Sequence, residues 1–264
     1  MIKKAFIISP KTDQQKRIVL KQRFADVGLT PQFVDAVMGK ELSASQKEDF
    51  QNSGRQLWLP SMMQDNALGC ALSHHKIWEY IANGDEEYGL ICEDDAMPIS
   101  ETAQYIPAIL DQLNELNKPI DILFLANRRP ERKVLPIYAL PSISQEREFQ
   151  IVSIKYNSIG AECYLLSRSA ARALLTNHYR YLFEVDCLLH HWWLHSCNVL
   201  HLHPPLFAEE GRPSTIGYTN TKPWPRDHIG HKLKRKWHRI YTSYMKRMRY
   251  ARLLKHWRDR FAGE

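Results

Sequence analysis

The stretch Gly89–Pro98, GLICEDDAMP, runs a short apolar segment straight into three consecutive acids, Glu93, Asp94 and Asp95. Leu90, Ile91 and Cys92 read as a buried strand, and Pro98 follows shortly after. Carboxylates at the C-terminal end of a sheet strand sit where α/β folds bind ligands. Two of them close in sequence can hold a hard divalent cation such as Mg²⁺ or Mn²⁺, which keeps open positions for phosphate oxygens. The competing reading is a solvated turn that ends a strand.

Elements on both sides place this strand in a sheet. Residues 5–9, Ala-Phe-Ile-Ile-Ser, form a short buried strand. Residues 12–28 carry a helical pattern with Ile18, Val19, Phe24 and Val27 on one side, closed by Gly28. A second strand is expected at 32–37, and this β-α-β opening starts a parallel sheet. Residues 42–65 read as a variable loop and short helix. Helices are expected at 68–83, 103–116, 167–176 and 186–195. Strands are expected at 88–92, 121–126, 160–166 and 198–203, and 128–150 reads as a loop. The order predicts an α/β fold with a mainly parallel sheet.

The chain has 264 residues, 44% apolar and 25% charged, which suits one large globular domain. No apolar run reaches the ~18 residues of a membrane span. The N-terminal apolar run is too short for a signal peptide, so a cytoplasmic start is expected. Five cysteines without a CxxC read as buried free thiols. The net charge of +7 is unevenly placed. The last 35 residues hold twelve Lys or Arg against Asp259 and Glu264, leaving the tail at +10 and the rest at −3. The chain reads as a slightly acidic globule with a basic appendage.

Upstream of the acids, NALGCALSHHKIWEYI (66–81) combines Gly69, Cys70, Ser73, His74 and Trp78. Gly69 within a helical pattern costs about 1 kcal/mol against Ala, so a ligand or another backbone is expected to come close there. LGCALSHHKIW, then LICEDDAMP, then GAECYLLSRSAARALL, then VDCLL at 185–189, in this order and spacing, resemble glycosyltransferase family 25. The resemblance covers roughly residues 1–215. It implies a GT-A-like fold, a nucleotide-sugar donor (usually UDP-galactose), Mn²⁺ or Mg²⁺, inversion at the anomeric carbon, and a lipooligosaccharide or lipopolysaccharide acceptor. The first strand departs from the family pattern, ending Ile8-Ser9-Pro10-Lys11 with Arg17 further on, where the family has Asn-Leu and an Arg-rich segment.

On this resemblance Asp95 is the expected metal ligand. Glu93 and Asp94 would orient ribose, metal waters or donor sugar, with Glu93 near enough to share the metal. An inverting enzyme needs one carboxylate to take the proton of the acceptor hydroxyl. Asp186 is the first choice, with Glu184 and Glu162 in reserve; an N-cap is the structural alternative for Asp186. Ile8, Ser9, Arg17, Gly69, Ser73 and His74 are the candidates for the nucleotide pocket. His203 or His201 could complete the metal or pyrophosphate site, as a late histidine does in some GT-A enzymes.

Three further features stand apart. Cys187, His191 and His195 would share a face of a helix and could bind zinc. Arg128, Arg129 and Arg132 could meet phosphates or form a solvated loop, and Ser214 and Ile216 lie in a loop-like segment near the end of the family region. In the tail, Leu233, Trp237, Ile240, Tyr241, Tyr244, Met248, Leu254, Trp257 and Phe261 recur near helical spacing among basic residues. This suits an anionic membrane surface met through residues 232–261. Packing on the body and RNA binding are the alternatives. The expectation is a catalytic domain over 1–215, a linker and tail over 216–264, no nucleic-acid partner, and a location on the inner face of the cytoplasmic membrane. Two rival functions use the same features: a metal-dependent phosphohydrolase, and a nucleic-acid-binding protein acting through the tail.

Overall fold

The computed structural model describes residues 2–51, 54–116, 120–128, 133–140, 143, 147–154, 159–195, 197–211, 223–224 and 228–262. In chain order its first elements are β1 (Lys4–Ser9), α1 (Gln14–Ala25), β2 (Thr30–Asp35), α2 (Ala44–Gln51), α3 (Asp65–Asn83), β3 (Tyr88–Glu93), β4 (Ala96–Pro98), α4 (Ser100–Ala103) and α5 (Ile106–Glu115). There follow β5 (Ile122–Phe124), β6 (Val134–Ala139), β7 (Gln150–Ile154), β8 (Cys163–Ser167), α6 (Arg168–Thr176), α7 (Val185–His190), β9 (Val199–His203), β10 (Phe207–Glu209) and α8 (Ile229–Ala262).

Among the described residues, eight strands form one sheet in the order β2-β1-β3-β8-β5-β9-β7-β6. β1 pairs in parallel with β2 and β3, and β5 with β9. β8 is inserted antiparallel between β3 and β5, and β7 runs against both β9 and β6. Six of the eight strands therefore point the same way, and the expected mainly parallel α/β architecture with a helical C-terminal region is what the chain has.

Strand alternation divides the core. Phe6, Ile8 and Ile91 face one layer, with Trp78 of α3, Leu174 of α6 and Leu188 of α7. Ala5, Ile7, Leu90 and Cys92 face the other, with Leu20 and Phe24 of α1 and Ile109 of α5. Leu90, Ile91 and Cys92 are fully buried, so β3 delivers its acids from a rigid central strand. The short ribbon of β4 and β10 fixes the chain just beyond them, with Glu209 opposite Ala96.

The loop after β2 crosses α3 at two glycines. A Cβ on Gly69 would lie 2.3 Å from the Val37 carbonyl oxygen, and one on Gly39 would lie 1.7 Å from that of Asp65. The close approach expected at Gly69 is thus that of another backbone. Ser73 seals the crossing: its hydroxyl accepts from the Val37 N–H at 2.8 Å and donates to the Gly69 carbonyl at 2.7 Å.

Several expectations need correcting. α1 buries Leu20 and Phe24, while Ile18 and Val19 are 62% and 47% exposed, so its apolar face was misjudged. Residues 128–150 hold β6 and the start of β7. β6 is a half-buried edge strand with an irregularity between Pro136 and Tyr138, which erases the two-residue period. The helix expected over 186–195 ends at His190. Cys187, His191 and His195 therefore do not share a helical face, and the i+4 argument for zinc fails. The expected boundary at 215/216 lies outside the described residues, as do Arg129, Arg132, Ser214 and Ile216.

α8 packs on the body. Tyr250 joins one core layer and Trp257 the other, and Arg235 donates to the Gln56 carbonyl at 2.9 Å. No helix among the described residues is long and apolar enough to cross a membrane.

Candidate active site

A cleft of about 420 Å³ opens at the C-terminal ends of β1 and β3, between the loop after β2, the start of α3 and the start of α7. Its lining includes Ile8, Lys16, Ser73, Glu93, Asp94, Asp95, Arg128, Glu184, Asp186 and Glu209. Among the described residues, seven acidic side chains line it against two cations, Lys16 and Arg128. This surplus of carboxylates gives the cleft a negative character that favours cations.

Glu93 is held from behind by a buried relay. Trp78 donates its indole N–H to the Tyr164 hydroxyl at 2.9 Å. Tyr164 lies 2.8 Å from His74 Nδ1, and His74 Nε2 lies 3.2 Å from Glu93 Oε1. Indole nitrogen can only donate, which leaves the Tyr164 hydroxyl proton free for Nδ1, and the tautomer that completes the relay carries its proton on Nε2, facing Glu93. His74 is fully buried, and its part is to orient Glu93.

Asp94 pairs with Lys16 of α1 at 3.0 Å. Burial raises its carboxyl above the ordinary value despite that lysine. Asp95 is pushed up to about 7, first by burial and then by the negative charge of Glu93, with Arg128 pulling the other way and Glu209 and Asp94 adding to the rise. Its Oδ1 is buried without a hydrogen-bond partner. An orphaned carboxylate oxygen among further carboxylates is an oxygen donor set that fits a hard cation. Cys70, His74 and Glu93 also bring three ligand atoms within 4.8 Å of one another. There, both His74 nitrogens are already engaged, and burial keeps the Cys70 thiol well above its usual range. The Asp95 cluster is therefore the better cation site.

Asp186 sits in the first turn of α7, where Glu184 is the N-cap residue. Its Oδ1 accepts from the Cys187 N–H at 2.7 Å and its Oδ2 from the Gly160 N–H at 3.4 Å. Burial raises its carboxyl, and the nearby Glu184 and Glu93 add to that against the two N–H groups. The two reserve acids are engaged with arginine. Glu184 receives Arg55, itself buried, at 2.6 Å. Glu162 is buried and ion-paired with Arg128, which also reaches Glu209 at 3.0 Å. Gly160, at φ +94°, makes room for the Arg128–Glu162 pair.

Several expected residues are not part of the cleft lining, His74 and Glu162 among them. The Ser9 carbonyl accepts from Arg17 at 2.7 Å, and Arg17 also binds Asp35 at 2.6 Å, so this arginine ties α1 to the ends of β1 and β2. Gly69 serves the backbone crossing. His203 is exposed at the end of β9, outside the cleft. His201 is buried against Phe124 and His190. Sequence reading missed Lys16, Arg55 and Glu209. Nothing in the pattern of α1 singles out Lys16, and the Asp13 N-cap is the nearest signal for where that first turn begins.

The sequence matches the profile described as glycosyltransferase family 25 (LPS biosynthesis protein) over residues 2–189. Procollagen galactosyltransferase 2 of Homo sapiens is 22% identical over 186 residues, covering 69% of this chain and 29% of that protein. Procollagen galactosyltransferase 1-B of Xenopus laevis is 26% identical over 178 residues, covering 64% of this chain and 27% of that protein. The chain thus spans less than a third of the length of these relatives. A weak structural overlap, with TM-score 0.33 and 12% identity, relates 72% of the chain to 62% of a putative glucose-1-phosphate thymidylyltransferase from Bacillus anthracis in complex with a sucrose.

Proposed function

The chain belongs to glycosyltransferase family 25, and on that premise we propose that it transfers galactose from UDP-galactose to a saccharide acceptor of the lipooligosaccharide or lipopolysaccharide type. The observation that carries this reading is the acidic floor of the cleft, where Asp95 presents a buried, unpartnered oxygen beside Glu93 and Asp94. Asp95, with Glu93, would hold Mn²⁺ or Mg²⁺, which as a Lewis acid offsets the charge of a diphosphate leaving group.

The chain's own residues supply the remainder. Lys16 and Arg128 bring positive charge to the cleft wall, each fixed by a carboxylate partner. The relay from Trp78 through Tyr164 and His74 holds Glu93 in one orientation. Asp186 takes the proton of the acceptor hydroxyl. Its raised affinity for a proton makes it a stronger base than a solvated aspartate, and two backbone N–H groups aim it. Arg55 and Glu184 lock the chain segment that carries Asp186.

The tail fits work at a bilayer. Ile229, Leu233, Trp237, Ile240, Tyr241, Tyr244 and Met248 are all 48–78% exposed and follow helical spacing on α8. They lie opposite the side that carries Arg235, His238 and Tyr250 to the body. Packing on the body and meeting an anionic membrane are thus compatible, because different faces of α8 serve each. A peripheral position on the inner face of the cytoplasmic membrane follows as part of the proposal.

A nucleotide-release screen tests the activity. UDP release from UDP-galactose should require both a divalent cation and a saccharide acceptor. Release with no acceptor dependence would favour a phosphohydrolase instead.

A further inference from the structure

A second cavity, of about 410 Å³, lies between α8 and the body, away from the acidic cleft. Its chemistry is the reverse of the cleft's. Among the described residues no lining side chain is acidic, and α8 contributes Arg239, Lys246 and Arg247. The body contributes aromatic faces. Trp58 stacks on His238 with centroids 3.9 Å apart, and Lys246 Nζ sits 3.6 Å above the Trp193 ring. His191 and Trp193 line the cavity, and their Nδ1 and Nε1 atoms are buried without a hydrogen-bond partner. Burial lowers Lys246 to about 8, as expected of an ammonium drawn out of water.

Aromatic side chains, two ring nitrogens without hydrogen-bond partners and a wall that carries Arg239 and Arg247 together match a hydroxylated ring that bears an anionic group. The position matters as well. Phe183 lines this cavity and Glu184 lines the acidic cleft, so consecutive residues form the wall between the two. The cavity therefore adjoins the cleft on the side of Asp186.

We propose that the groove beneath α8 is a binding site for an anionic sugar, a phosphorylated residue of the acceptor glycan. Its role in acceptor binding rests on the glycosyltransferase reading, whereas the binding itself needs neither donor nor metal. Phosphate would meet Arg239, Arg247 and Lys246, and the ring would lie against Trp193 or Trp58.

Calorimetric titration of the full chain with mannose 6-phosphate tests this, with mannose, inorganic phosphate and sn-glycerol 3-phosphate as comparisons. Mannose 6-phosphate should bind, and each comparison compound should bind about ten-fold more weakly or worse. Arg239 and Arg247 are exposed on α8, so the pair Arg239→Gln and Arg247→Gln should fold normally and weaken mannose 6-phosphate at least about ten-fold. Absence of binding, or equal binding in the double variant, would overturn the proposal. Equal binding of glycerol 3-phosphate would reassign the groove to a lipid headgroup, and equal binding of inorganic phosphate to an anion alone; either result overturns it. If mannose 6-phosphate binds while UDP-galactose does not, the groove stands and the donor reading falls.

Discussion

His74 Nε2 lies 3.2 Å from Glu93 Oε1, joining the third turn of α3 to the last residue of β3. The Gly-Cys-x-Leu-Ser-His helix and the acidic strand end are thereby one device. The helix carries the imidazole that aims the acid, and Tyr164 of the antiparallel strand β8 aims the imidazole. Tyr164→Phe removes the hydroxyl and leaves Trp78 Nε1 and His74 Nδ1 without their partner. The expected cost is about 1–3 kcal/mol of stability, read by urea denaturation. A lower kcat in protein that is still fully folded should accompany it, because Glu93 is no longer aimed. Unchanged stability and kcat would show that the relay does not organise the cleft.

Asp186→Asn keeps the shape of the side chain and removes its basicity. Transfer should fall by about 100-fold or more, while UDP-galactose affinity, measured by calorimetry, stays close to wild type. Loss of donor affinity would make Asp186 a structural member of the α7 N-terminus instead.

The elements and the acidic cluster were legible in the sequence to different degrees. β1 and β3 could be placed because their apolar runs are uninterrupted and β3 ends in the acids, and α1 because Gly28 closes it, although its buried face could not be read from Ile18 and Val19. β6 could not, because an edge strand with one half-buried face and a proline has little period to read. Gly69 could be recognised as a cost, but the Val37–Gly39 backbone that explains it comes from 30 residues earlier. Lys16 and Glu209 reach the cleft only because α1 packs on the sheet and β10 pairs with β4, and local pattern records neither.

His195 is half-buried, and desolvation of its ring lowers it to about 4, its hydrogen bonds to backbone carbonyls opposing. Below about 6.5 the unfolded chain takes up a proton that the desolvated ring refuses, so this group makes stability fall as pH drops from about 6.5 towards 4. His195→Gln keeps a donor for the Leu189 carbonyl, 3.3 Å from Nε2, and removes the titration. The stability gap between wild type and variant, from urea midpoints, should narrow or invert over that range. A gap independent of pH would show that the ring is protonated in the folded state.

Tail truncation would be a poor probe of membrane binding, because Tyr250 and Trp257 belong to the core. Trp257→Ala alone should cost about 3–5 kcal/mol. The outward stripe is the better target. Trp237→Glu with Ile240→Glu alters two exposed positions, so folding should be retained, and sedimentation with anionic liposomes should fall at least about ten-fold. Undiminished sedimentation would place membrane contact elsewhere or nowhere on α8.

The central claim is that Asp95 makes the cleft work as a cation-dependent glycosyltransferase site, and UDP release from UDP-galactose with an acceptor tests it most directly. Wild type should respond to Mn²⁺ or Mg²⁺ and lose turnover on chelation. Asp95→Ala should lose about 100-fold or more at every cation concentration while remaining folded. Full, cation-dependent turnover in Asp95→Ala would contradict the account.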